Sequence, residues 1–231
     1  NNSEYSCMPT LFLDFDGVLY DTLKEAYILC RYVCEGIDLF VPIEQDIYSK
    51  FYKYKYLVFN SWQYLYLMKS ITSDNIISSY NSFLQNRDLK QEEDFEDKYL
   101  KARKWLLDNH SDYVDKLESK FPFLDMVKKL QNKYDILIVS RKNNFAIQRK
   151  NTGFKIYGKE ELSNVIDKAE FIEKYMKDNN VKKGFFIDDN SHNLTPCENI
   201  PNLTCLLAGW GNIAINEKGL SQEEIYQILN K

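Results

Sequence analysis

Four short apolar runs along the chain predict buried parallel strands. They cover residues 11–15, 135–140, 184–189 and 203–208. Each run is largely apolar on both faces and is followed by polar or glycine-containing turns, which is the pattern of strands covered by helices on both sides. Apolar residues at helical spacing follow the last three runs, over 145–150, 168–178 and 221–229. This alternation predicts an α/β fold built on a doubly wound, mostly parallel sheet.

A long segment with little strand pattern separates the first two runs. Leu23, Ala26, Tyr27 and Cys30 begin an amphipathic stripe at helical spacing. Further helical patterns cover 44–70, 74–86, 91–109 and 122–133. Because this segment is too long for an ordinary strand-to-helix connection, we interpret residues 23–122 as an inserted helical domain. The α/β core is then expected to consist of residues 1–22 and 123–231.

The composition narrows the classes of function. Apolar residues make up 44% and charged residues 28% of the chain, which indicates a packed core and excludes wholesale disorder. The net charge of −4 argues against binding to nucleic acid or to an anionic membrane, because such surfaces are usually basic. No apolar run approaches the roughly 18 residues of a membrane-spanning helix. The first ten residues lack the apolar stretch of a secretory signal.

Cysteine and histidine usage restricts the chemistry further. Five cysteines without a CxxC pair favour neither a disulfide framework nor a four-cysteine zinc site, so we expect a reducing, cytoplasmic location. Only two histidines are present, which excludes a histidine-rich metal site. If the protein is an enzyme, its acid–base chemistry is therefore expected to use carboxylates.

The segment DFDGVLYDT directly follows the first predicted strand and contains Asp14, Asp16 and Gly17. Carboxylates at this end of a strand project into the crevice where open α/β sheets bind ligands, and strand alternation places both on one side. Gly17 allows the backbone to approach a bound group closely. An ordinary acidic turn would leave paired carboxylates buried without purpose. A calcium-binding EF-hand loop would need glycine where Leu19 stands.

Together with three later motifs, this segment resembles the haloacid dehalogenase-like hydrolase superfamily, in its phosphatase branch. Ser140 closes the second predicted strand, where the family has its second motif. Lys168 stands 20 residues before Asp188, as the third-motif lysine stands before the fourth motif, and Asp188 and Asp189 close the next strand. The resemblance covers residues 14–189 of the core and leaves the insertion unmatched. The insertion falls where the family places its helical cap, which closes over the site.

The resemblance implies a two-step phosphoryl transfer. Asp14 would attack phosphorus and become an aspartyl phosphate. Asp16 would protonate the leaving oxygen and then take a proton from the hydrolytic water. Ser140 and Lys168 would hold the phosphoryl oxygens.

Two further phosphate contacts are predicted around these residues. The backbone at Gly17 and the backbone N–H of Arg141 are candidate phosphate-binding groups. The side chains of Arg141 and Lys142 could reach a substrate, but we expect each to be a solvated surface charge.

The resemblance also implies Mg²⁺ as the cofactor. The ion would be held by the Asp14 carboxylate, the Asp16 carbonyl and a fourth-motif aspartate, since Mg²⁺ prefers hard oxygen ligands. Alignment with the family's Gly-Asp form makes Asp189 the direct ligand, but Asp188 stays open as an alternative. Asn193 stands where the family has a later aspartate, in the outer shell of the metal.

The expected substrate is a small phosphorylated metabolite, and the expected assembly is a monomer or a homodimer. Two alternatives remain open: a phosphomutase acting on a sugar phosphate, and a non-catalytic binding protein on the same fold. No motif in the insertion identifies the substrate.

The insertion carries an unusual aromatic stretch over residues 51–66. We expect most of it to be packing between helices, because aromatic side chains gain much from burial. Tyr52 and Tyr56 are four residues apart and would share a helix face. Tyr54 would then be the partly exposed member of the three.

Overall fold

The computed structural model describes residues 8–231, so Cys7 and most of the ten-residue segment predicted to lack a secretory signal lie outside the described residues. The chain divides into two compact units. Residues up to Tyr20 and Lys120–Lys231 form the first, which we call the core unit, and Asp21–Ser119 form the second, the helical unit. Within residues 8–231, no helix combines the length and the apolar character needed to cross a membrane.

The strands of the described chain are few and short. They are β1 (Thr10–Leu13), β2 (Tyr20–Asp21), β3 (Ser119–Lys120), β4 (Asp135–Val139), β5 (Lys155–Tyr157), β6 (Gly184–Asp188) and β7 (Leu203–Leu207). Five of them form one sheet in the order β5-β4-β1-β6-β7, and every neighbouring pair is parallel. The two-residue strands β2 and β3 pair separately, at the points where the chain leaves and re-enters the core unit.

The helical unit contains six α-helices. They are α1 (Leu23–Glu35), α2 (Gln45–Tyr54), α3 (Tyr64–Ser70), α4 (Ile76–Gln85), α5 (Leu89–Asn109) and α6 (Ser111–Leu117). Its core is built from side chains such as Leu29, Phe51 and Leu106, all fully buried. Helix α1 ends at Gly36, whose φ of 68° is a left-handed conformation that glycine adopts without steric cost.

The predicted helical pattern over 44–70 is not one continuous helix in the structure. Helix α2 ends at Tyr54, and 3₁₀ turns follow over Lys55–Leu57 and Ser61–Gln63. The Gln63 side chain accepts hydrogen bonds from the backbone N–H groups of Phe59 and Asn60. The Gln63 carboxamide thereby stabilises the break between the helices.

The prediction for the tyrosines is correct for Tyr54, which is partly exposed, and wrong for Tyr52. Phe51 faces the core, and the adjacent Tyr52 is therefore 46% exposed, although we predicted it to be a packing residue. Tyr54 and Tyr56 are both half-buried. They do not belong to one helix, since α2 ends between them.

The described part of the core unit contains six further α-helices. They are α7 (Pro122–Lys128), α8 (Asn144–Gln148), α9 (Lys159–Leu162), α10 (Lys168–Asp178), α11 (Ser191–Leu194) and α12 (Gln222–Leu229). Helix α10 begins where the pattern predicts, because the Asp167 side chain caps it by accepting from the Glu170 N–H. Helices α9 and α11, and the edge strand β5, are too short to leave a periodic signal.

Strand β1 shows why the sheet is covered on both faces. Leu11 and Leu13 pack with residues of α7 and α12 on one side. Phe12 packs on the other side with residues of α10. All three side chains are fully buried, as alternation in a parallel sheet between two helix layers requires. The predicted doubly wound α/β fold is confirmed.

Candidate active site

Three predicted site residues meet at one edge of the sheet. Asp14 follows β1, Ser140 follows β4, and Asp188 ends β6. Because β1 lies between β4 and β6, the carboxyl ends of these parallel strands place the three residues side by side. Such an edge is where open α/β sheets form their binding crevices.

Lys168 joins two of the predicted motifs at this edge. As the first residue of α10, it donates from Nζ to Oδ1 of Asp14 at 2.9 Å and to Oδ2 of Asp188 at 2.8 Å. The lysine is 3% exposed and Asp188 is fully buried. The fold therefore brings the first, third and fourth motifs into direct contact, although Asp14 and Lys168 are 154 residues apart.

Burial and charge act together on these groups. The pKa of Asp14 is raised well above its usual value, first by burial and then by the negative charge of Asp188. Lys168 opposes this effect on Asp14. Burial alone would lower the pKa of Lys168, but the carboxylates of Asp14 and Asp188 raise it. The lysine is thus cationic between the two carboxyl groups.

Asp14, Asp188 and Asp189 together fit a divalent cation. Each offers a carboxylate oxygen, these oxygens lie within 4.8 Å of one another, and all three residues are buried. Carboxylate groups gathered in a buried position repel one another when they are ionised, and a bound cation would offset that repulsion. The donors are all hard oxygens, which suits Mg²⁺ better than zinc.

Gly17 is required by its contact with Asp189. Its φ of 80° is left-handed, and a Cβ atom there would lie 2.0 Å from Oδ2 of Asp189. Any side chain at this position would displace that carboxylate or the loop. Gly17 therefore lets the loop approach a site carboxylate closely, and its approach to a bound phosphate group stays a prediction.

A turn after β7 also positions Asp189, and we did not predict this. The backbone N–H of Asn212 donates to Oδ2 of Asp189 at 2.7 Å. A Cβ at Gly211 would lie 2.4 Å from Cβ of Asp189. Trp210 donates from Nε1 to the carbonyl oxygen of Val18 at 3.1 Å, which links this turn to the first-motif loop. The sequence signal was the Gly-Trp-Gly triplet at 209–211.

Asn193 contacts the other aspartate of the pair. Its Nδ2 donates to Oδ2 of Asp188 at 3.2 Å, and the backbone N–H of Asn190 donates to Oδ1 of Asp188 at 2.9 Å. Asp188 thus accepts from Asn190, Asn193 and Lys168. This set of donors fixes the orientation of its carboxylate.

Ser140 and Arg141 have different environments. Ser140 is 2% exposed, and its Oγ accepts from the backbone N–H of Lys142 at 3.1 Å. The Arg141 guanidinium donates to the carbonyl oxygen of Ile166 at 3.2 Å. Burial lowers the pKa of Arg141, and the neighbouring Asp167 opposes the shift. The structure therefore anchors the Arg141 side chain to the loop before α10.

The prediction that Lys142 is a solvated surface charge is wrong. Its side chain is 5% exposed, and Nζ lies 2.9 Å from Oδ1 of Asp16. The backbone N–H of Lys159 donates to the carbonyl oxygen of Lys142 at 2.9 Å, which holds this turn against the segment after β5. The sequence offered only a lysine two residues beyond a strand end, which is a weak signal.

Comparison with known proteins adds evidence at the level of the fold. The sequence matches no family model and none of the curated proteins. Solved structures do match: a predicted phosphatase from Clostridium acetobutylicum has a TM-score of 0.63 and 15% identity, with 98% of this chain and 100% of that chain covered. A predicted phosphoglycolate phosphatase from Haemophilus somnus has a TM-score of 0.61 and 12% identity, with 96% and 97% covered.

A haloacid dehalogenase-like family hydrolase from Streptococcus pneumoniae has a TM-score of 0.56 and 17% identity, with 95% of this chain and 91% of that chain covered. The chain therefore has the fold of the haloacid dehalogenase-like hydrolases. The fold that the resemblance to this superfamily implies is confirmed. Its activity has to be argued from the site itself.

Proposed function

We propose that this protein is a Mg²⁺-dependent phosphohydrolase that acts on a small phosphorylated metabolite through an aspartyl phosphate on Asp14. The observation that carries the proposal is the contact of Lys168 with both Asp14 and Asp188, within a buried group of three carboxylates. Three buried carboxyl groups around one lysine support a site that binds a cation. The cation and Lys168 together would attract an anionic phosphate group.

In the first step, a carboxylate oxygen of Asp14 attacks phosphorus. A new O–P bond forms as the bond from phosphorus to the leaving oxygen breaks, and Asp16 gives that oxygen its proton, so an alcohol departs. Lys168 orients the Asp14 carboxylate and offsets negative charge on the phosphoryl group. Ser140, the backbone at Gly17 and the Arg141 N–H are the proposed donors to the phosphoryl oxygens.

In the second step, water attacks the phosphorus of the aspartyl phosphate. Asp16, now ionised, takes a proton from that water, and the bond between phosphorus and the Asp14 oxygen breaks. Inorganic phosphate is released, and Asp14 and Asp16 return to their starting states. Both steps use one carboxyl group as acid and then as base, so no histidine is needed.

The Asp14 carboxylate, the Asp16 carbonyl and Asp189 are the proposed ligands of Mg²⁺. Asp188 accepts from Lys168, Asn190 and Asn193, which supports Asp189 as the direct ligand. When bound, the ion would balance charge on the phosphoryl group. Asn193 then acts by orienting Asp188 rather than by approaching the metal.

A phosphate-release screen tests the proposal. Purified protein is incubated with a panel of phosphorylated metabolites in Mg²⁺, in EDTA, and in EDTA followed by excess Mg²⁺. We expect release in Mg²⁺, loss in EDTA and recovery on adding Mg²⁺, with Asp14→Asn as the inactive control. Activity that survives exhaustive chelation would refute the metal dependence.

The same screen separates the alternatives. Isomerised sugar phosphate in place of free phosphate would indicate a phosphomutase. Binding of phosphorylated compounds without turnover of any of them would indicate a non-catalytic protein. Size-exclusion chromatography with light scattering tests the proposed monomer or homodimer.

A further inference from the structure

Lys142 and Asp16 form an ion pair that the mechanism above does not use. The distance from Nζ of Lys142 to Oδ1 of Asp16 is 2.9 Å. The lysine side chain is 5% exposed, whereas the Asp16 side chain is 35% exposed. A nearly buried cation thus contacts a carboxylate that is partly open to solvent.

The backbone of Lys142 is fixed on two sides. Its N–H donates to Oγ of Ser140 at 3.1 Å, and its carbonyl oxygen accepts from the N–H of Lys159 at 2.9 Å. Gly158 lies so close that a Cβ there would be 2.6 Å from the Lys142 carbonyl oxygen. The turn after β4 is therefore held firmly against the segment after β5.

The side chain also follows a defined course. Nζ of Lys142 lies 5.5 Å from the centre of the Phe15 ring, and that ring is fully buried. A cation near an aromatic face is attracted to it. The ammonium therefore reaches Asp16 from a fixed direction.

We infer that Lys142 is a positioning residue that holds the Asp16 carboxyl group in one orientation toward the leaving oxygen; this inference rests on the proposed function. A general acid must lie within hydrogen-bond reach of the oxygen it protonates, and misplacement reduces the rate steeply. The Asp16 side chain is 35% exposed, and the contact of Lys142 with its Oδ1 at 2.9 Å restricts the orientation of the carboxyl group.

The kinetic test uses Lys142→Met, which keeps the length of the side chain and removes its charge. In the proposed two-step reaction, kcat/KM depends only on the steps from substrate binding to departure of the alcohol. For an alkyl phosphate, whose leaving group needs a proton, we expect kcat/KM to fall about 10- to 100-fold, within the usual share of general acid catalysis. For 2,4-dinitrophenyl phosphate, which needs no proton, the fall should be under about threefold.

Three controls accompany this comparison. Lys174→Met removes an exposed lysine of the same unit and should change neither value. Lys142→Arg keeps the charge and should recover part of the lost activity. In the Asp16→Asn background, Lys142→Met should lower kcat/KM by less than about a further twofold, because the effects of substituting residues that act through one another are not additive.

Two kinetic outcomes would overturn the inference while leaving the proposed function intact. Equal losses with both substrates would mean that Lys142 acts on the phosphoryl group or on folding. A full further loss in the Asp16→Asn background would mean that Lys142 contacts the substrate directly.

A measurement without turnover keeps the inference testable in any case. In protein labelled with ¹³C at aspartate carboxyl carbons, the Asp16 resonance is assigned by its loss in Asp16→Asn. It should move in Lys142→Met and stay in place in Lys174→Met. An unmoved resonance in Lys142→Met would overturn the inference. A moved resonance in a protein that hydrolyses no phosphate ester would refute both the proposed function and a catalytic purpose for the pair.

Discussion

The two units each contain a buried cation between acidic or polar partners, but their charge balance differs. In the helical unit, Arg103 donates to both carboxylate oxygens of Glu25, at 2.8 and 3.0 Å, and to the Tyr99 hydroxyl at 2.7 Å. One cation there meets one anion. In the core unit, Lys168 meets Asp14 and Asp188, with Asp189 beside them.

Under the proposed function, this difference separates a structural role from a functional one. A bidentate arginine–carboxylate pair satisfies itself and supports a packed core. Three buried carboxyl groups whose oxygens lie within 4.8 Å of one another repel one another when ionised, and a bound cation would offset that repulsion. Burial alone therefore does not distinguish the two sites, whereas the number of carboxyl groups around the cation does.

The largest expected effect is on Asp14→Asn, which should abolish turnover, because an amide is a poor nucleophile and a poor metal ligand. The same change should leave metal-free protein at pH 7 as stable as the wild type or more stable. The raised pKa of Asp14 means that the folded state binds the proton more tightly than the unfolded state. Stability contributed by this group is therefore present below the unfolded pKa and lost as the pH rises through the folded value.

Turnover and the thermal midpoint in EDTA, measured at pH 4 and pH 7, check this prediction. The thermal midpoint of Asp14→Asn minus that of the wild type should be larger at pH 7 than at pH 4. Comparable activity in a folded variant would contradict the mechanism. A strongly lowered thermal midpoint of Asp14→Asn at pH 7 would mean that Asp14 stabilises the fold through its ion pair, as Glu25 does in the helical unit.

The next largest effect is on Asp16→Asn, which should lower kcat/KM for an alkyl phosphate by about 10² to 10⁴, the usual share of general acid–base catalysis. The protein should remain folded, because Asp16 is partly exposed. Steady-state kinetics with alkyl and activated aryl phosphates measures the loss. A fall of less than about threefold with the alkyl substrate would require another role for Asp16.

Arg103→Met tests the other side of the comparison. Removing the cation leaves Glu25 buried without its partner, which should lower the free energy of unfolding by about 3–5 kcal/mol. Urea denaturation measures the change, and Arg103→Met with Glu25→Gln should recover part of it. A loss below about 1 kcal/mol would show that the pair of Arg103 and Glu25 contributes little to stability despite its bidentate geometry.

The smallest effect is expected for Tyr52→Ala, which should lower the free energy of unfolding by about 1 kcal/mol, because the side chain is 46% exposed. Its neighbour gives the matched contrast: Phe51→Ala should cost about 3–5 kcal/mol, since Phe51 is fully buried. Urea denaturation of both variants checks the order. The reverse order would restore the packing role first predicted for Tyr52.

The parts of the site that could be predicted share a simple signal. Asp14, Ser140 and Asp188 each close or follow a continuous apolar run, and parallel strands bring such ends together. Lys168 stands directly after the helix cap Asp167. The fold and the meeting of these residues therefore follow from patterns that extend over five residues or more.

The remaining features of the site depend on contacts that residue type alone does not predict. Asn212 positions Asp189 through its backbone N–H, which almost any residue could provide. Lys142 is directed to Asp16 by a turn held against the segment after β5, and β5 is a three-residue edge strand. The prediction for Tyr52 was wrong because the burial of Phe51 determines which face of α2 is buried, and because α2 ends at Tyr54. The spacing of the tyrosines alone predicts neither feature.

The most direct test of the account is the chemical identity of the intermediate. A substrate found in the phosphate-release screen is turned over in Mg²⁺, quenched in acid and treated with borohydride, which reduces an aspartyl phosphate to homoserine. Peptide mass spectrometry should then find homoserine at position 14, and no such product in protein quenched without substrate. Rapid turnover with unmodified Asp14 at every quench time, or with homoserine at position 188 or 189 instead, would contradict the account.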